Sequence, residues 1–177
     1  MIRTLNEPLY FSYVTIYHMK VPIRYVPKTL TKKDKNKQRR ALIRSRKEYK
    51  KGNYLMRKSL KSLKNKPSPH IINARKLYGI DMVKPDKLLA RRTKCNIKGL
   101  QKIFNKGQGA YYSSGSRPNQ TPHSWAYARL ASSISGGNAS VVDYKILKEY
   151  CDPTSKALHL AKNASKRSKK RVQNINL

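Results

Sequence analysis

The segment TPHSWAYARLASSISGG, residues 121–137, carries the chemistry of both ends of a helix. The Thr121 hydroxyl suits an N-cap, where it accepts one of the backbone N–H groups that the first turn leaves unpaired. Pro122 has no N–H to lose and its φ is already helical, so it fits the first helical position. Tyr127, Leu130, Ala131 and Ile134 then recur at helical spacing. Gly136 and Gly137 supply the left-handed residue on which helices commonly stop. A helix over 122–135 is predicted.

The same reasoning extends downstream. Ser140 with Asp143 resembles a capping box, with Asp shorter than the usual Glu. It predicts a helix over 141–150 carrying Val142, Ile146, Leu147 and Tyr150. A last helix from Ser155 carries Ala157, Leu160, Ala161 and Ala164, then fades into the basic tail KRSKKRVQNINL. Upstream, Asn96 to Lys106 reads as a helix stopped by Gly107. Ile97, Leu100, Ile103 and Phe104 face inward there, and Lys98, Lys102 and Lys106 recur on another face. Pro85 opens a helix through Arg92, and Pro69 opens one ending at Gly79, with Ile71, Ile72, Leu77 and Tyr78 as its apolar members. Residues 107–121 read as a loop.

Nearer the N-terminus, PLYFSYVTIYHMKVPIRYV (8–26) reads as one or two strands, kept to edges or ends by Pro22 and Pro27. Thr31 caps a predicted helix over 32–50, closed by Gly52. That helix has almost no apolar stripe beyond Ala41, Leu42, Ile43 and Tyr49. A helix polar all round is expected to bury nothing within its own domain, and to be either disordered or laid along a partner. Residues 53–68 read as an extended basic linker. The expected fold class is mainly α: a small helical core domain over 69–165, an N-terminal strand region over 1–30, a basic helix and linker arm over 31–68, and a basic tail over 166–177.

Charge dominates the composition. The 177 residues include 41 Lys and Arg against 8 Asp and Glu, a formal net charge of +33. Residues 31–66 alone hold sixteen basic and two acidic residues, whereas 111–150 hold four and two. Such a chain repels itself, and its natural partners are polyanions: nucleic acid, an anionic membrane face or acidic protein surfaces. The expected contacts are Lys32, Lys33, Lys35, Lys37, Arg39, Arg40, Arg44, Arg46, Lys47, Lys50 and Lys51, with Lys98, Lys102, Lys106, Arg117, Lys166, Arg167, Lys169, Lys170 and Arg171.

Catalytic signatures are absent from the pattern. The eight acids are scattered, with no pair at a spacing that would tune one as acid and one as base. They read as caps and surface partners. His18, His70, His123 and His159 stand far apart, without metal-ligand spacing. Cys95 and Cys151 give neither a metal motif nor a disulfide framework, a reduced compartment fits best, and a bridge between them is not expected there. The start of the chain lacks a signal-peptide pattern, and the apolar stretch Leu9–Met19 is too short to span a bilayer. No enzyme activity, metal, cofactor or small-molecule substrate is expected. Were there catalysis, Arg117, His123 and Asp143 would be the first residues to test.

Two local features have two readings each. The loop residues Ser113, Ser114, Gly115, Ser116, Arg117 and Asn119 could cradle an anion through hydroxyls, backbone amides and a guanidinium. The pattern is neither a Walker loop nor a dinucleotide fingerprint, and a structural loop whose polar groups satisfy each other beneath Tyr111, Tyr112 and Trp125 is the expectation, with anion or partner recognition as the alternative. Helices 85–92 and 96–106, joined at Thr93–Cys95, have helix-turn-helix lengths, with Lys98 and Lys102 toward a groove. The turn lacks the usual Gly.

The run GQGAYYSSGSRPNQTPHSWAYARLASSISGGNASVVDYKIL (107–147) resembles an uncharacterised domain family of large double-stranded DNA viruses of algae and amoebae. VPKTLTKKDKNKQRRALIRSRKEYKKG (26–52), SPHIINARKLYGI (68–80) and SKALHLAKNAS (155–165) share the resemblance, which thus covers roughly 21–165. It implies a viral product made in host cytoplasm and packaged in the virion, and brings no catalytic mechanism. The function expected on that footing is a virion structural protein of minor capsid or internal-shell type. Its partners would be other capsid proteins in a large assembly, the viral DNA and an anionic inner membrane surface. The alternative is a sequence-independent protein that binds and condenses the viral genome.

Overall fold

Local capping chemistry sets most of the helix boundaries in the computed structural model, which describes residues 20–167 and 174–176. The strand reading over 8–19 and tail residues Lys169, Lys170 and Arg171 lie outside the described residues. Strand β1 (Lys20–Pro22) leads through a 3-10 turn (Ile23–Tyr25) to α1 (Lys32–Lys50). Then come α2 (Pro69–Tyr78), α3 (Lys87–Thr93), α4 (Ile97–Ser113), α5 (Pro122–Ile134), α6 (Asn138–Val142), α7 (Tyr144–Tyr150), α8 (Lys156–Arg167) and β2 (Asn174–Asn176). The fold is mainly α, as expected. The described part of the N-terminal strand region is β1 alone. It pairs antiparallel with β2, Val21 opposite Ile175, so part of the predicted tail returns as a strand. No described helix is long and apolar enough to cross a membrane.

Thr121 caps α5 through the Ser124 N–H, and the Ser124 hydroxyl answers by accepting from the Thr121 N–H at 2.9 Å. Gly79 ends α2 in the left-handed conformation at φ +60°. Thr31 caps α1 at the predicted residue. The main core joins α2, α3, α4, α5, α7 and α8 through Ala74, Leu89, Leu100, Ile103, Leu130, Ile134, Leu147 and Ala161, all buried.

Several boundaries differ from expectation. Helix α3 starts after Pro85, because the Asp86 carboxylate accepts from the Leu89 N–H at 2.8 Å and makes Asp86 the N-cap. Helix α4 does not stop at Gly107 but runs on to Ser113, so the loop is only 114–121. Gly107 is instead the point of closest approach to α5: a Cβ there would sit 2.6 Å from the Ala126 Cα. Ser140 and Asp143 form no capping box. The Ser140 hydroxyl donates to the Gly137 carbonyl, and Asp143 separates α6 from α7 with its carboxylate buried.

Cys95 and Cys151 form a disulfide, against expectation. Its local cause is a backbone bridge between the α3–α4 turn and the α7–α8 turn. Asn96 N–H donates to the Tyr150 carbonyl at 2.7 Å and Asp152 N–H to the Lys94 carbonyl at 2.8 Å, which brings the two cysteine Cα atoms to 3.9 Å.

The largest correction concerns α1, which packs on the chain's own body. Asp34, Gln38, Leu42 and Ser45 lie on one face and are buried. Leu42 joins Val21, Tyr25 and Val26 in a second core, against which Trp125 packs. Residues 53–66 are likewise no free linker, since Leu60 is buried and Ser62 binds Asp34.

The two helical glycines of α4 give opposite expectations. Gly107→Ala should cost about 1–3 kcal/mol by forcing α4 and α5 apart. Gly109→Ala, whose Cβ would meet only the Tyr49 hydroxyl at 3.6 Å, should gain about 0.5 kcal/mol from helix propensity. Urea unfolding of both variants checks this; shifts in the same direction would contradict the assigned packing.

Candidate functional site

Residues 53–66 cross from the end of α1 toward α2 as an irregular strap, and Arg57 is its anchor. One terminal guanidinium nitrogen of Arg57 donates to the Ser45 hydroxyl at 3.0 Å and the Tyr111 carbonyl at 2.9 Å; the other donates to the Ser116 hydroxyl at 2.7 Å. The guanidinium also lies 3.6 Å from the Tyr111 ring centroid. The Arg57 N–H donates to the Tyr111 hydroxyl at 3.2 Å. Among the described residues no carboxylate takes part. Burial lowers the Arg57 pKa, partly offset by Tyr111, Tyr25 and Tyr112, and an arginine stays charged under such conditions.

Asn119 holds the next part of the strap. Its side-chain oxygen accepts from the Leu60 N–H at 2.6 Å, and its amide nitrogen donates to the Leu60 and Leu63 carbonyls at 2.9 and 2.8 Å. Asn119 stands at φ +57°, a left-handed conformation that Asn tolerates better than most residues. Gln38 donates to the Tyr25 carbonyl at 3.0 Å and more weakly to that of Ser116. Of the expected anion-loop residues, Ser116 and Asn119 are therefore engaged by the chain's own strap, Gly115 closes against Leu42 and Tyr25, and Ser113 and Ser114 lie at the end of α4. Arg117 is exposed.

The acids serve the architecture. Asp34 accepts from the N–H and hydroxyl of Ser62, which hold its carboxyl below the usual range. Glu48 accepts from Asn53 and Lys51, which lower its pKa in the same way. Asp152 accepts from Thr154 within its turn. Burial pushes the Asp143 carboxyl up, but hydrogen bonds from Arg129, Lys106 and Ser133 outweigh it and the pKa ends low. Arg129 grips that carboxylate at 2.7 and 2.9 Å and Lys106 reaches it at 3.0 Å. Lys102 contacts Glu149 and Tyr150 on α7. So Lys102, one of the two lysines expected toward a groove, leans onto α7, while Lys98 stays exposed.

With its polar face turned inward, α1 presents its cations outward. Lys33, Lys37, Arg40, Arg44, Lys47 and Lys51 are exposed and follow one another at intervals of four and three residues. That spacing makes a single stripe about 27 Å long at 1.5 Å per residue. Lys32 and Arg46 are exposed beside it, Lys35 and Arg39 half-buried, and Lys50 exposed at the last helical position. Among the described residues, Lys33, Arg40, Arg44 and Lys47 have no carboxylate within 4.0 Å. Lys98 and Lys166 are exposed elsewhere, and Arg167 ends α8.

The sequence reading missed Arg57 as an anchor, and it missed the cluster of Tyr49, Tyr54 and Tyr112 at the end of α1. The one available signal was Tyr54-Leu55-Met56, an apolar trio inside an otherwise basic run.

This is a small helical protein in which most of the described acids bond to the chain's own residues and the cations of the α1 stripe face solvent. The chain belongs to a family of unknown function, DUF5824, whose model matches residues 22–145. No curated protein and no solved structure matches it.

Removal of the Arg57 fork strands three buried acceptors. Arg57→Met should cost about 2–4 kcal/mol in urea unfolding. Arg57→Lys should recover less than half of that, because an ammonium cannot span the fork. A loss below about 0.5 kcal/mol for Arg57→Met would show that the strap is not anchored there.

Proposed function

We propose that this protein binds nucleic acid without sequence preference, through a rigid cationic surface centred on the exposed stripe of α1. The observation that carries this is the division of charge in α1. Its Asp34, Gln38 and Ser45 face inward onto Ser62, Tyr25 and Arg57, and its lysines and arginines are left facing solvent. A helix fixed in this way presents its cations already ordered, so binding a polyanion costs little conformational entropy. Releasing condensed counterions from nucleic acid supplies the driving force.

In the viral setting that the resemblance implies, the ligand is the genome or its transcripts, and the protein acts by binding rather than by catalysis. The minor capsid reading requires basic arms free to reach neighbouring subunits. Residues 32–66 are instead held on the chain's own body, which favours the nucleic-acid reading.

Binding to a labelled duplex of random sequence should fall linearly with log salt, with a slope of about −5 if the stripe engages five or six phosphates. The variant Lys33→Gln, Arg40→Gln, Arg44→Gln, Lys47→Gln should reduce that slope in magnitude by about 3 and keep the unfolding midpoint. A slope near zero, or one the four substitutions leave unchanged, would contradict the reading.

A further inference from the structure

Tyr54 is 69% exposed, with Met56 beside it at 53%, and it is not isolated but belongs to a cluster of three tyrosines. Tyr54 opens the strap and is nonetheless held in place. Its ring stands edge-on to Tyr49 from the last turn of α1 (centroids 5.8 Å, 73°) and to Tyr112 from the last turn of α4 (5.2 Å, 78°). Tyr49 and Tyr112 are parallel to within 7°, with centroids 6.0 Å apart. Two parallel rings and a third across them make an open-sided aromatic notch.

The rest of that cleft is polar and small: Asn105, Gln108 and Gly109 line it with the three tyrosines. The Asn105 side-chain oxygen accepts from Gln101 at 2.7 Å, which leaves its amide N–H groups toward other acceptors. Among the described residues Gln108 has only a long contact, to His123 at 3.4 Å. Close in sequence to Tyr49 and Tyr54, Arg46, Lys47 and Lys58 are exposed, and Lys51 pairs with Glu48. The one carboxylate nearby in sequence, Glu48, is occupied by Asn53 and Lys51.

Exposed aromatic faces, side-chain amides and surrounding cations are three requirements for one kind of ligand. A nucleobase stacks on the ring, its edge meets the amides, and its flanking phosphates meet the cations. A duplex cannot use such a notch, since its base faces are already stacked inside the helix. The surrounding positive charge argues against a basic or neutral peptide as the occupant. We infer that the notch formed by Tyr49, Tyr54 and Tyr112 takes an unpaired base, so that the protein prefers single-stranded over double-stranded nucleic acid. This rests on the nucleic-acid reading of the α1 stripe and adds the substrate class to it.

The test is fluorescence anisotropy at fixed salt with four probes of about 20 nucleotides: oligo-deoxythymidine, oligouridine, an abasic deoxyribose-phosphate strand and a duplex. These cover the stacking and backbone contributions separately. The intact protein should bind the two base-bearing single strands about tenfold more tightly than the abasic strand. Tyr54→Ala should remove about that factor for the single strands and leave duplex and abasic binding unchanged. Tyr54→Phe should keep it, because stacking needs the ring and not the hydroxyl. Tyr54 is too exposed for its truncation to unfold the protein, and the unfolding midpoint verifies that. Binding equal for single strands and abasic strand, or equally affected by Tyr54→Ala on every probe, would overturn the notch and leave the cationic reading standing. Failure of every probe to bind would overturn both. The deoxythymidine and uridine arms assign the strand: a preference for uridine points to a contact with the 2′-hydroxyl, and equal affinity to the base alone.

Discussion

The fold depends on one half-buried cation that meets no anion among the described residues. Arg57 sits flat on Tyr111 and donates to two serine hydroxyls and a backbone carbonyl. Its neighbours reach it from α1, from the end of α4 and from the loop before α5. One side chain thereby ties three distant parts of the chain together. In most proteins a buried guanidinium is matched by a carboxylate, because an unpaired charge is expensive to desolvate. With 8 acids against 41 bases, this chain has few carboxylates to place there. The π face of Tyr111 and a full set of neutral acceptors take that role, each worth less than a carboxylate but satisfying the fork geometry.

The same scarcity explains where the acids are. The Arg129–Asp143 pair sits at the junction of α5, α6 and α7, with Lys106 of α4 closing over it. Asp34 clips the strap to the start of α1, Glu48 closes its end through Asn53, and Asp86 starts α3. Each of these four acids fixes a junction between elements or starts a helix, and the exposed face of α1 is left to lysine and arginine. Free in solution, such a surface repels itself, and any polyanion laid on it relieves that repulsion. Structural use of the acids inside and the polyanion binding proposed for the outside would thus both follow from one composition.

What could be read from the sequence was what is local. The ends of α2 and α5 followed from Pro69, Gly79, Thr121 and Gly136, because caps act within four residues. The ends of α1 followed too, but not its role. Its buried face is Asp34, Gln38 and Ser45, which a hydrophobic-stripe rule reads as solvent-facing. What makes that face burial-competent is a set of partners as far away as Ser116, invisible to any window. Gly107 was read as a helix stop, though in α4 its missing side chain serves the contact with Ala126. Asp143 looked like a cap and is a buried ion-pair acceptor; Cys95 and Cys151 are brought together only by a backbone bridge between two turns. On the functional side the cations were legible as composition, whereas the tyrosine notch joins residues 49, 54 and 112 and exists only after folding.

The most direct test of this account is amide hydrogen exchange in the free protein, resolved by residue and without nucleic acid present. Arg57, Leu60 and Ser62 lie in an irregular, highly basic segment, yet their N–H groups donate to Tyr111, Asn119 and Asp34. The account predicts that these three amides exchange slowly, in step with the interior of α1. Exchange at the rate of an unfolded chain across 32–66, with α5 still protected, would mean that the segment is a free arm after all, and would contradict it.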